Sequence, residues 1–124
     1  MIIRPASRKD CQAIYSLYQS EKWLSFTEEK VRSLFSTNLS HYLVLEEDQK
    51  ILGFVRYLTD EVLTTFLAEI IIDKSHRRKG LGQQLIEEIH KKYPLTRIEL
   101  ISEADGFYRS ISFKPVGTGF RKSE

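Results

Sequence analysis

Residues 69–89 read EIIIDKSHRRKGLGQQLIEEI, and the fold turns on the change of character inside this stretch. It opens on the end of a run rich in β-branched residues, VLTTFLAEIIID over 62–73, the composition of a strand. From Gly80 onward, Leu81, Leu85 and Ile89 recur four apart and Ile86 widens the stripe, the period of a helix with one apolar face. Lys91 and Lys92 suit the negative C-terminal end of that helix, and Pro94 stops it. Between strand and helix, Arg77, Arg78 and Lys79 precede Gly80, Leu81, Gly82 and Gln83. A glycine costs about 1 kcal/mol against alanine inside a helix, so two at one helix start need a local reason. The first turn of a helix has N–H groups without intrahelical partners and carries the positive end of the helix dipole. With glycine backbone and three cations beside it, an anion is the natural ligand, and a phosphate suits it well. A tight turn with solvated basic residues is the blander alternative. There is no Walker A string, and Leu85 stands where a dinucleotide fingerprint has its third glycine.

Working outward, Ile2 and Ile3 before Pro5 predict a short first strand. Ser7 lies three residues before Asp10, a capping-box spacing, and Cys11, Ile14, Leu17 and Tyr18 follow at helical spacing, giving a helix over about 7–20. Thr27 caps a second helix carrying Val31, Leu34 and Phe35. HYLVLEEDQKILGFVRYL predicts two strands around the turn EEDQ. After the central helix come a strand in TRIELIS, a short helix in ADGFYRSI and a final strand or hairpin in FKPVGTGFRK. Antiparallel strands followed by a strand–helix–strand unit predict a mixed α/β (α+β) sheet.

The whole chain bounds the partners. Its 124 residues predict a single domain over 1–124, with 41% hydrophobic and 29% charged residues. The net charge is only +2, from 19 basic and 17 acidic residues, so the basic cluster is local and a dedicated nucleic-acid binder is disfavoured. Cys11 is the single cysteine, so no internal disulfide forms and a reducing compartment is expected. No apolar run approaches the roughly 20 residues a bilayer span needs, and MIIRPASRKD has no signal-peptide character. The expected location is cytoplasmic, without membrane attachment. His41, His76 and His90 show no ligand spacing, so no metal is expected.

Arg77-Arg78-Lys79-Gly80-Leu81-Gly82 resembles the (Gln/Arg)-x-x-Gly-x-(Gly/Ala) acetyl-CoA signature of the GCN5-related N-acetyltransferase (GNAT) family. The likeness extends to Ile72 at an aliphatic position of the strand, to GFYRSISFKP with Tyr108 at the family's tyrosine, and to IIRPASRKDCQAIYSLY as the first strand and helix. Ser112 departs from the usual glycine before the phenylalanine. The resemblance implies a mixed, mostly antiparallel sheet flanked by about four helices and splayed between its fourth and fifth strands, here about 62–73 and 96–102. It implies acetyl-CoA as co-substrate, with the pyrophosphate on the amides of Arg78 to Gln83 beside Arg77. The strand at Ile70, Ile71 and Ile72 then holds the pantetheine and polarises the acetyl carbonyl. It implies direct transfer to a primary amine of a small molecule or peptide, with Tyr108 as the acid that protonates the leaving thiolate. The alternatives to that role are core packing beside Phe107 and a non-catalytic acetyl-CoA-binding module that contacts a partner protein.

Strict alternation along 62–73 puts Phe66, Ala68, Ile70 and Ile72 on one face and Leu67, Glu69 and Ile71 on the other. Glu69 is thus a carboxylate among apolar neighbours, where an unpaired charge is costly. It is expected to act as the general base that deprotonates the amine, with a structural ion pair or an ammonium anchor as alternatives. Cys11 is a core residue on the helix face. Trp23 and Phe26 are interhelix packing or acceptor wall, and Asp60 and Glu61 are a solvated turn or an attraction for a cationic acceptor. The acceptor's identity and the choice between monomer and homodimer are not encoded in these motifs.

Overall fold

The computed structural model describes residues 1–123. The chain runs β1 (Ile2–Pro5), a 3-10 turn (Arg8–Asp10), α1 (Cys11–Ser20), α2 (Glu28–Leu34), β2 (His41–Glu47), β3 (Lys50–Thr59) and β4 (Thr64–Ile72). A second 3-10 turn (Lys74–His76), α3 (Leu81–Lys92), β5 (Arg97–Leu100) and α4 (Asp105–Ser110) complete it. The strands lie in one sheet in sequence order, β1-β2-β3-β4-β5. The first four pair antiparallel and β5 is parallel to β4, as the α3 crossover requires. This is the mixed, mostly antiparallel sheet with four helices that the sequence predicts.

Local chemistry explains the elements. The Ser7 N–H donates to Asp10 Oδ2 at 2.8 Å, the return half of the capping box. Thr27 Oγ1 accepts from the Lys30 N–H at 3.2 Å and caps α2. Asp48 and Gln49, both at positive φ, make the two-residue β2–β3 turn. Two cores form on opposite faces of the sheet. On one, α3 packs Leu81, Leu85, Ile86 and Ile89 against Leu43, Leu45, Val55, Tyr57 and Leu67. On the other, α1 and α2 pack Ile14, Leu17, Tyr18 and Val31 against Tyr42, Val44, Phe54 and Ile71.

Two expectations are corrected. Leu67 does not share a face with Glu69 and Ile71. Arg56 opposes Glu69 while Tyr57 opposes Leu67, so Ala68 is an extra residue in β4. This β-bulge turns everything before it over to the other face: Leu67 joins the α3 core, and Phe66 goes to the face carrying Glu69. The segment 113–122 forms no strand. Pro115 lacks a donor, Gly117 and Gly119 disfavour extended pairing, and β5 is only four residues long. Its Phe120 is 91% exposed.

Candidate active site

The site begins where β4 loses its neighbour. β4 and β5 are paired over Thr64–Leu67 and Arg97–Leu100 and no further, so the Ala68–Ile72 edge faces no strand on that side. The Asp73 N–H donates back to Leu52 O in β3 at 2.8 Å. By alternation, the backbone groups of Ile72 and Ile70 point away from β3, into the gap. The side chains of Ile70 and Ile72 pack on the α3 core, whereas Ile71 is buried under α1.

The chain then enters the glycine loop. Gly80 is the N-cap residue of α3 and has φ +75°, the left-handed conformation. No atom lies within 4 Å of where its Cβ would stand, so conformation and not crowding demands this glycine. Gly82 has the other reason: its Cβ would stand 3.2 Å from Phe107 Cζ and 3.7 Å from Ile70 Cδ1. Arg78 is also left-handed at φ 64°, a strain that clusters at functional loops. The amides of Leu81, Gly82 and Gln83 are the first-turn donors without intrahelical acceptors. Arg78 and Lys79 stand exposed beside them, with no ion-pair partner among the described residues. Arg77 is committed elsewhere. Its Nε donates to Ile72 O at 3.0 Å and its Nη2 to Glu21 Oε2 at 2.7 Å, so it ties the end of β4 to the end of α1. Gly80→Ala should lower stability by about 1–2 kcal/mol through its positive φ alone, read as a falling melting temperature with an unchanged circular dichroism spectrum.

Tyr108 sits half-buried on the α3 side, edge-on to Phe107 at 5.0 Å and to Phe113 at 5.6 Å between ring centroids. Its hydroxyl has no hydrogen-bond partner among the described residues. Burial raises its pKa above the ordinary phenol value, so it stays protonated at neutral pH and is able to donate.

Glu69 is not a free carboxylate. Arg56 grips it with Nε to Oε1 at 2.6 Å and Nη2 to Oε2 at 2.7 Å, a bidentate pair between adjacent strands. The Tyr18 hydroxyl donates to Oε1 at 2.6 Å. Tyr18 has one hydroxyl proton and gives it to the carboxylate, so Tyr42 is the donor in the 2.9 Å Tyr18–Tyr42 hydroxyl pair. Arg56 Nη1 reaches Ser40 Oγ at 3.1 Å. Burial lowers the Arg56 pKa, but the bonds to Glu69 outweigh it and the net direction is upward. Burial, reinforced by Glu69, raises the Tyr18 phenol far above its usual range, and burial pushes Tyr42 up to about 12. Phe26 stacks on Tyr18 with centroids 4.1 Å apart and planes at 1°, and Trp23 tilts against both rings at 6.4 Å. These two aromatics roof the network.

Tyr108 and Glu69 therefore lie on opposite faces of the sheet. The sequence reading missed Arg56 and the role of Tyr18. A signal was present: Phe54, Arg56 and Leu58 alternate along one face, and an arginine in that row asks for a buried acid. Asp60 is engaged locally, its Oδ1 accepting from the N–H groups of Val62, Leu63 and Thr64 at 2.8–3.0 Å. Cys11 is buried in the helix face. A cavity of about 760 Å³ lined in part by Arg4, Asp10, Leu17, Ile51 and Asp73 contains none of the residues placed at the site. Among the described residues, no group of three or more potential metal ligands comes together and no helix is long and apolar enough to cross a membrane.

Known proteins share this fold. The chain is 28% identical over 125 residues to the peptidyl-lysine N-acetyltransferase YiaC of Escherichia coli (strain K12), covering 90% of this chain and 82% of that one. Its fold superposes on a GNAT-family acetyltransferase of Streptococcus pneumoniae with a TM-score of 0.77 at 22% identity, over 99% and 98% of the two chains. It also superposes on an aminoglycoside N-acetyltransferase crystallised with coenzyme A, with a TM-score of 0.79 at 12% identity over 99% and 93%. The acetyltransferase (GNAT) domain model matches residues 38–115, from before β2 to beyond α4. With a splayed sheet, a left-handed glycine opening α3 and that family match over more than half its length, the chain belongs to the GNAT acetyltransferase family.

Proposed function

We propose that this protein transfers an acetyl group from acetyl-CoA to a primary amine of a peptide or small molecule. The observation that carries the reading is the continuous path from the unpaired Ala68–Ile72 edge to the donor-rich first turn of α3. The amides of Leu81, Gly82 and Gln83, with Arg78 and Lys79 beside them, suit a pyrophosphate. The inward backbone groups of Ile70 and the N–H of Ile72 suit the amides of a pantetheine arm, which would add to β4 as a strand does, the Ile72 carbonyl being held by Arg77. The coenzyme A thioester supplies an activated acetyl group. Tyr108 protonates the departing thiolate, and its unpartnered hydroxyl favours this role over the non-catalytic alternative. Arg77 serves as a brace at the loop entrance.

Glu69 acts in this proposal as a fixed anion that shapes the acceptor side, because a carboxylate has about four acceptor positions and three are taken. The amine then reacts from its neutral fraction: its nitrogen bonds the acetyl carbon as the C–S bond breaks, and the thiolate takes the Tyr108 proton. The proton shed by the nitrogen goes to solvent, from which Tyr108 is reprotonated. The kcat/KM should therefore rise with pH toward the amine's own pKa. We place this chemistry in the reducing cytoplasm, in keeping with the single buried thiol.

The test is a melting experiment followed by thiol-release assays. Acetyl-CoA at about 100 times its Kd should stabilise the fold by roughly 2.7 kcal/mol, a shift of several degrees. NAD and ATP should do much less. An unchanged melting curve at saturating acetyl-CoA refutes the proposal. A shift without thiol release across amine panels supports the binding-module alternative instead.

A further inference from the structure

The helices cover only part of the sheet face that carries Glu69. On that face Phe54 is 0% and Ile71 2% exposed under α1 and α2, whereas Leu58 is 37% and Phe66 36% exposed. Leu58 opposes Phe66, and Phe66 opposes Glu99 of β5, so the three form one row across β3, β4 and β5. The Ala68 bulge brings Phe66 here, next along the strand from the Arg56–Glu69 pair. The row also lies one residue before the last β4–β5 rung, Leu67 with Leu100, and thus borders the mouth of the gap.

We propose that this uncovered row binds the acceptor, and that it selects a peptide amine lying beside an apolar side chain. The inference rests on the acetyl-transfer reading above and adds the substrate class. Shape, more than charge, decides for a peptide. The strand residues of this face carry Arg56 and Arg97 against Glu69 and Glu99, and the adjoining turn adds Asp60 and Glu61, so the surroundings attract an amine of any class. Glu99, half-buried and without an ion-pair partner among the described residues, suits an ammonium at the mouth of the gap. Leu58 and Phe66 beside it offer apolar contact for the neighbouring side chain. Small amines are held in concave pockets that bury most of their surface. A row of strand side chains more than a third exposed suits an extended peptide laid across it.

The experiment uses the full chain with acetyl-CoA and three sets of acceptors. These are short peptides with one lysine flanked by leucine or phenylalanine, the same peptides flanked by glycine, and a polycationic aminosugar. The apolar-flanked peptides should have kcat/KM at least tenfold above both other sets. Phe66→Ser should raise KM for them about tenfold or more, since it removes most of a buried aromatic contact, with the loss in KM and not in kcat. Leu58→Ser gives the same readout should Phe66→Ser fold poorly, and Glu99→Gln should raise KM for every amine. Equal or better turnover of the aminosugar, or an unmoved KM in folded Phe66→Ser and Leu58→Ser, overturns the acceptor assignment. So does a dimer in solution that Phe66→Ser dissociates, because a second copy then covers the row. Absence of the acetyl-CoA melting shift overturns the parent reading itself, and so separates the two failures.

Discussion

Arg56→Met should cost about 3 kcal/mol and lower the melting temperature by roughly 10 °C. Methionine keeps the length of the aliphatic stem, so the loss comes from charge. Glu69 would be left as a nearly buried carboxylate holding one hydroxyl donor from Tyr18. Breaking one partner of such a pair is far more damaging than removing both, because the survivor keeps its desolvation cost without its counter-ion. The double variant Arg56→Met/Glu69→Gln should therefore recover part of the loss, with the glutamine oxygen still accepting from Tyr18. A double variant no more stable than Arg56→Met alone shows that the pair is not what holds this region. Glu69→Gln by itself should lower both stability and kcat/KM, with the activity defect constant from pH 6.5 to 9. An activity defect that shrinks as pH rises, beside an unchanged melting temperature, assigns Glu69 as the general base instead.

Tyr108→Phe should reduce kcat by about 10²-fold. Only the hydroxyl is lost, and no hydrogen bond within the described residues goes with it, so the fold and the acetyl-CoA melting shift should persist. The raised pKa adds a pH signature. A phenol held above its usual 10 remains the acid throughout the assay range, so the wild-type rate should show no alkaline decline from Tyr108 below pH 10. Full turnover in the phenylalanine variant would leave Tyr108 a packing residue of the Phe107–Phe113 cluster.

The central strand, the glycine loop and α3 were legible along the chain because each rests on short-range physics. The β-branched run in 62–73, the four-residue spacing of Leu81, Leu85 and Ile89, and the capping box at Ser7 all act within a few residues. So does the need for Gly80, whose left-handed φ belongs to its own turn. These features, with the Tyr108 segment, carried the family resemblance. The tertiary structure decided what depended on neighbours distant in sequence. A bulge is a mismatch between two strands, so Ala68 shows only once β3 is laid beside β4, and it alone sends Leu67 and Phe66 to the faces they occupy. Glu69 read as a general base, with an ion pair to an unnamed cation as an alternative, because its partners come from 13 and 51 residues away. The final segment carried a strand-like pattern, but a strand is stable only with a partner edge, and Pro115, Gly117 and Gly119 facing a four-residue β5 leave it none.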